Sequence, residues 1–364
     1  MDSLDRGLAA IGRGWRIQIE QAGVDDRLVD ISLKLVALCL LYTFGAALIW
    51  PTAFGEVLYI YLAKLIAIGP MTLLLALVSS AVFTAPKAPI SFVIQLLRAR
   101  GRQAAVIVAI FVLLLAAFTT YKVNIPKIVP FYCDNALADL GELLHGQAPW
   151  KIAHAFDSDG LAWLVDVAYS RIWFLEWFGM AMYAALYANR APHLRYLAAL
   201  VLTTVVVGTM LATLLSSAGP LFYDQLYSGT RYEGLLRALR QFPSNEQVLH
   251  YSDYLMRNYR TGTAAFGTGI SAMPSMHVAI ATLNALYLAR LNRWFGVAGW
   301  VFAMFILFGS VYTGWHYSVD GYVAILVVAV IWQRTRPIDN TLGASKALAE
   351  TLYPAPAARP IQYS

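Results

Sequence analysis

"ISAMPSMHVAIATLNALYLAR", residues 270–290, begins with proline, serine and histidine and then runs apolar. Ionisable side chains at membrane depth cost roughly 3 kcal/mol each, so a polar head on an apolar helix has a use that offsets its cost. The run is one of eight of its kind. Crossing the hydrocarbon takes about 20 mostly apolar residues. Candidate spans fall at 31–50, 57–82, 104–121, 161–187, 196–217, 274–291, 295–313 and 315–332. The pattern predicts an all-α polytopic membrane bundle of about eight helices.

Composition points the same way. Of 364 residues, 59% are apolar and 13% charged, against about 25% charged in soluble domains. The net charge of +6 does not read as a nucleic-acid footprint, because its placement is topological. Basic residues collect between alternate spans: Arg13 and Arg16 with "RLVDISLK" (27–34), then "LLRARGR" (96–102), "ANRAPHLR" (188–195), "ARLNR" (289–293) and "QRTR" (333–336). Positive loops stay inside, so both termini are expected in the cytoplasm. The setting that fits is a bacterial inner membrane, with the site on the periplasmic face. No cleavable signal peptide is expected, since the first thirty residues are polar and the first span is long. Cys39 and Cys133 form no CxxC pattern and are not expected to pair or to bind metal.

The chain divides into an amphipathic cytoplasmic segment (1–30), a transmembrane pair with a cytoplasmic loop (31–103) and a membrane core (104–334). A cytoplasmic tail (335–364) follows, in which "YPAPAARP" (353–360) suggests a disordered end. The core carries two external modules, 122–160 and 220–269. In the first, Leu137, Leu140, Leu143 and Leu144 form one helical stripe. In the second, Ser244 and Gln247 make a capping-box pattern ahead of "VLHYSDYLMRNYR". Such amphipathic, tyrosine-rich pieces suit a lid at the membrane surface.

If Pro274 is the first helical residue, Met273 is an N-cap without an acceptor, and the amides of Ser275, Met276 and His277 lack helical partners. A helix N-terminus with free amides binds anions. A phosphate there would also meet the Ser275 hydroxyl, with His277 one turn away. The second cluster is "GWHYSVDGYVA" (314–324). His316 and Asp320 lie four apart, hence on one face of a helix, where a carboxylate orients an imidazole as in a catalytic triad. Both clusters open spans on the same side of the membrane and so come to one depth.

Three other readings compete. The His–Asp pair could be a structural bond between spans. It could be the proton relay of a transporter, although transporter sites lie near the midplane of repeated halves and no repeat is visible. It could hold zinc, although a catalytic zinc needs three ligands and there is no HExxH. His145, His154 and His250 read as surface histidines.

"SAMPSMHV" (271–278) followed by "GWHYSVDGYVA" resembles the second and third signature motifs of the type-2 phosphatidic acid phosphatase (PAP2) superfamily, Pro-Ser-x-His and, two spans later, His-x-x-x-Asp. The resemblance implies a cofactor-free, metal-independent route through phosphohistidine. His316 would attack phosphorus, Asp320 orient it and His277 protonate the leaving oxygen, while Ser275 and amides such as that of Met276 hold the phosphoryl oxygens. The partners implied are the bilayer and a lipid substrate, either a phospholipid or a lipid phosphate.

The first motif of that family is Lys, six residues, then Arg-Pro. "KVNIPKIVP" (122–130) supplies Lys122 and Pro130 but has Val129 for the arginine. The arginine usual six positions before the third-motif histidine is Ser310. Fewer cations suit a singly charged phosphodiester better than a dianionic monoester. This leans toward head-group transfer, in the style of the inositol-phosphorylceramide and sphingomyelin synthase branch. Lys122 and Lys127 remain near the site, and Arg231, Arg257 or Arg260 could instead replace the missing charge. Hydrolysis of a lipid phosphate or diphosphate is the alternative.

Overall fold

The computed structural model describes residues 26–339, residue 189 excepted. The N-terminal segment through residue 25 and the tail from residue 340 lie outside the described residues, as do the expectations attached to them. The helices are α1 Asp26–Ile49, α2 Pro51–Thr84, α3 Pro89–Ile128, α4 Asp134–His145, α5 Pro149–Ala153, α6 Asp159–Val167, α7 Trp173–Leu186 and α8 Ala191–Val205. They continue as α9 Ala212–Leu214, α10 Pro220–Tyr227, α11 Glu233–Arg240, α12 Glu246–Thr261, α13 Met276–Leu291, α14 Arg293–Tyr312 and α15 Ser318–Arg334. Single π turns, Ala168–Ile172 and Val206–Leu211, join α6 to α7 and α8 to α9. No strand occurs among the described residues, and the fold is an all-α polytopic membrane bundle.

By length and composition, 6 helices among the described residues can cross a membrane: Val29–Ile49, Pro51–Thr84, Pro89–Ile128, Ala191–Leu214, Arg293–Tyr312 and Ser318–Asp339. Two of the eight expected spans therefore differ. The α6–α7 run is long enough but carries Asp166, Arg171 and Glu176. Helix α13 is apolar but has only 16 residues. It packs against α7, α8, α14 and α15, and its side chains from Val278 to Ala285 are all buried. A helix enclosed by protein meets little lipid, so the hydrocarbon thickness does not set its length.

Small residues allow that enclosure. Asn292 alone links α13 to α14, and its side-chain oxygen accepts from Trp294 N at 2.8 Å. Beyond this turn, Gly296 and Gly299 lie against the backbones of Ala289 and Ala285, where a Cβ would come within 2.6 and 2.8 Å of the Cα atoms. Close backbone approach of this kind holds helices together in lipid.

The "LLRARGR" stretch is helix, not the expected loop. It belongs to α3, whose 40 residues make about 60 Å of helix, twice the hydrocarbon thickness of about 30 Å. Gly101 alone does not break a helix, and the next proline is Pro126.

The two surface modules pack together around Leu137, Leu221, Phe222, Leu235, Leu239 and Leu255. Only Leu137 of the leucine stripe turns inward, leaving Leu140, Leu143 and Leu144 exposed. The Ser244 capping box does not form. Asn245 is the N-cap of α12, without a side-chain bond, and the Ser244 amide donates to Asp159 at 3.3 Å. His154 is not a surface histidine, with only 6% of its side chain exposed. Its Nδ1 meets Asp157 at 2.7 Å and its Nε2 meets the Tyr312 carbonyl at 2.8 Å. His145 is half-buried and bonded to Tyr322, whereas His250 is exposed beside Glu246. Cys39 and Cys133 are both free.

Candidate active site

Two chain reversals carry the candidate residues. The first precedes α13. Its N-cap is Ser275, not Met273, and the Ser275 hydroxyl accepts from Val278 N at 3.4 Å. The helix thus starts at Met276, two residues later than expected, because Ser275 is extended and its side chain offers the acceptor that Met273 lacks. The amides of Met276 and His277 have no acceptor among the described residues. The free-amide reading survives for two positions instead of three. The Ser275 amide itself donates to the Asp320 carbonyl at 3.2 Å, tying this turn to α15.

The second reversal precedes α15. The helix begins at Ser318, so His316 stands outside it, and the one-face argument for His316 and Asp320 does not apply. Capping brings them together instead. Asp320, in the first turn, reaches back to accept from Tyr317 N at 2.9 Å, which leaves the same oxygen 3.4 Å from His316 Nδ1. The shorter bond from Nδ1 goes to the Ala272 carbonyl, at 2.8 Å. A carbonyl only accepts, so Nδ1 carries the hydrogen and Nε2 keeps its lone pair. His316 is 7% exposed and Asp320 fully buried.

The imidazoles of His277 and His316 lie 6.2 Å apart between ring centroids, at 62°. Two residues that no motif pointed to hold His277. The Tyr169 ring stacks on it at 4.2 Å and the Trp173 ring lies at 4.1 Å, while Trp173 Nε1 donates to the His277 carbonyl at 3.0 Å. The π turn re-aims this stretch, since Tyr169 lies within it and Trp173 directly follows. Tyr169 OH and Asp320 Oδ1 are buried without a partner among the described residues. Buried polar atoms are rarely left so, and a polar ligand between the histidines would complete them.

Of the proposed cations, Lys122 comes nearest. It is half-buried and within electrostatic range of His277, with Gly269 against its backbone. A Cβ on Gly269, where φ is +99°, would stand 2.9 Å from Lys122 C and Cγ. Gly269→Val is therefore expected to displace Lys122 and to cut turnover by about tenfold or more, at about 1.4 kcal/mol per decade. Steady-state assay of the folded variant checks this.

Lys127 lines an open cleft of about 210 Å³ with Asn258, Tyr259 and Thr263. Arg257 and Arg260 are exposed on the adjoining helix α12. Arg231 is engaged elsewhere, by Asp139 at 2.6 Å and Glu142 at 3.1 Å. Ser310 bonds its own helix, to Leu307 O at 2.7 Å, and its carbonyl accepts from His316 N. Among the described residues, no three His, Cys, Asp or Glu side chains cluster as a metal site.

A family model described as PAP2 superfamily matches residues 135–333, more than half of the chain. No curated protein and no solved structure matches.

Proposed function

The chain belongs to the PAP2 superfamily, and on that premise we propose that it cleaves a lipid phosphoester through phosphohistidine at His316 and transfers the head group to an alcohol acceptor. Membership supports lipid phosphoester chemistry in general. The observation that carries the finer reading is the hydrogen bond from His316 Nδ1 to the Ala272 carbonyl, which leaves the Nε2 lone pair for attack.

In the first step Nε2 bonds to phosphorus while the bond from phosphorus to the leaving oxygen breaks, and His277 gives that oxygen its proton. The faces of Tyr169 and Trp173 suit the positive charge His277 carries before the transfer. In the second step the acceptor hydroxyl passes its proton to His277 as its oxygen attacks phosphorus, and the nitrogen–phosphorus bond breaks. The amides of Met276 and His277 and the Ser275 hydroxyl stabilise the phosphoryl oxygens. Asp320 supplies counter-charge to the His316 ring.

Lys122 is the cation beside this chemistry, and Val129 and Ser310 supply none. That balance suits a singly charged diester. The open cleft bordered by Lys127, Asn258 and Thr263 offers a place for the acceptor. With water as acceptor the same steps amount to hydrolysis. Arg98, Arg100 and Arg102 toward one end of α3, with Lys122 near the other, support an orientation in which the site opens to the external face and both termini are cytoplasmic.

The test is a panel of lipid monophosphates, diphosphates and phosphodiesters, with and without an alcohol. Head-group exchange without free phosphate is expected, and phosphate release from the monoesters would make the enzyme a phosphatase. Activity is expected to persist in excess chelator. Loss that added zinc restores would move the chemistry to a metal.

A further inference from the structure

The two surface modules differ in what they show to their surroundings. Between residues 220 and 269 the exposed large apolar side chains are Tyr251 and Tyr259 alone, and they stand beside exposed Glu246, His250, Asp253 and Arg257. Helices α4 to α6 instead expose Leu140, Leu143, Leu144, Ile152, Phe156 and Trp163, with Leu143 at 79% and Phe156 at 89%. Leu140, Leu143 and Leu144 share one flank of α4, since positions three and four apart are neighbours on a helix. Asp139 and Glu142 occupy another flank, where both meet Arg231. The outer surface of α4 is thus apolar along one side and ion-paired along the other.

Contacts to two spanning helices fix the depth of this face. Helix α4 runs along the opening turns of α15. Asp134 accepts from Tyr317 OH at 2.9 Å, just before that helix, and His145 Nε2 accepts from Tyr322 OH at 2.8 Å, in its second turn. His145 Nδ1 is the donor, to Gly141 O at 2.7 Å. The end of α4 that carries Leu143 and Leu144 is therefore the end that lies further along α15. Helices α5 and α6 pack on α14. His154 Nε2 donates to the carbonyl of Tyr312, the last residue of α14. One turn inside, a Cβ on Gly309 would lie 3.4 Å from Val165 Cγ1 of α6. Phe156 and Trp163 thus sit at the level where α14 ends. Helices α14 and α15 both reach that level from the hydrocarbon, which makes it the boundary of head groups and acyl chains, where tryptophan is favoured.

We propose that α4 to α6 form a wedge seated in the leaflet on the side of the catalytic histidines. The leucine flank of α4, Phe156 and Trp163 lie among the upper parts of the acyl chains, while α10 to α12 face water. The occupant of this face is lipid, because the face borders the ends of two membrane-crossing helices and the charges of α4 are gathered by Arg231 on another flank. The same helix supplies Asp134, whose carboxylate holds Tyr317 beside His316. The wedge therefore ties the catalytic turn to the lipid surface. This placement follows from the membrane bundle alone and holds whichever reaction the site performs.

The test uses the full chain in phosphatidylcholine nanodiscs. Cys39→Ala and Cys133→Ser remove the free native thiols, and one new cysteine at a time carries a nitroxide. Leu143→Cys and Phe156→Cys report on the wedge, Arg240→Cys on α11, and Leu326→Cys on a spanning helix; all four positions are exposed. Power saturation with oxygen and a water-soluble nickel chelate is expected to place the labels at 143 and 156 about 5–10 Å below the lipid phosphates. The label at 326 should be deeper and the label at 240 in water. Labels at 143 and 156 in water would overturn the assignment. So would labels shielded from both reagents, the sign of a second copy on this face. On the unaltered chain, phosphatidylcholine bearing a diazirine in its upper acyl chain should label peptides from α4 and the turn at 154–158 and leave α12 unlabelled. Equal labelling of the two modules, or labelling of neither, would count against the wedge.

Discussion

Replacing His316 with alanine is expected to lower turnover by about 10⁴-fold or more, the scale at which loss of a covalent nucleophile is felt. The variant should still fold. The ring's bond to the Ala272 carbonyl contributes about 1 kcal/mol, and Asp320 keeps its bond to Tyr317 N. The wild-type enzyme, quenched during turnover, should carry an acid-labile phosphoryl head group on His316, and the variant none. Turnover near the wild-type rate in a folded His316→Ala protein would remove His316 from the chemistry and return the His–Asp pair to a structural role.

The second large effect is expected at Asp134, which no motif singled out. Its carboxylate is fully buried and takes four donors. It accepts from the amides of Ala218 at 3.0 Å and Gly219 at 2.9 Å, and from the hydroxyls of Tyr227 and Tyr317, each at 2.9 Å. Burial, and then the Asp134 charge, push the Tyr227 hydroxyl above its ordinary value, so it stays a donor. The loop that Asp134 gathers in turn fastens the catalytic turn, because Ser217 O accepts from Ala272 N at 2.9 Å and Ser217 Oγ from Met273 N at 3.0 Å. Tyr317 directly follows His316. One carboxylate thus braces the reversals that carry both histidines.

Hydrogen bonds to a charged group are worth about 1.5–3 kcal/mol each, and their loss strands buried donors. Asp134→Ala is expected to lose at least about 3 kcal/mol of stability, read as an earlier thermal unfolding transition in detergent, with turnover falling in step. A variant that melts with the wild type would show that the reversals hold their positions without it.

How much of this was legible in the sequence differs from residue to residue. The apolar runs announced the bundle, because a membrane demands length and apolarity within each crossing helix. They are weakest where protein replaces lipid, as around the short α13, and where Asp166, Arg171 and Glu176 make α6–α7 more polar than its neighbours. The two histidine motifs lay in plain view. Their local geometry did not, since Ser275 took the cap expected at Met273 and His316 sits before its helix instead of on it. Tyr169 and Trp173 gave no signal, because aromatic residues in an apolar run read as core.

By itself, then, the sequence determined the membrane bundle, its family resemblance and the residues that face phosphate chemistry, because apolarity and short motifs are properties of neighbouring residues. Only the tertiary structure decided what holds those residues to their task. The Ala272 carbonyl that sets the His316 tautomer lies 44 positions away, Trp173 lies 104 from His277, and Asp134 lies 183 from Tyr317. Contacts across such separations leave no local pattern. They exist only once the helices have packed and the buried donors have found their acceptors.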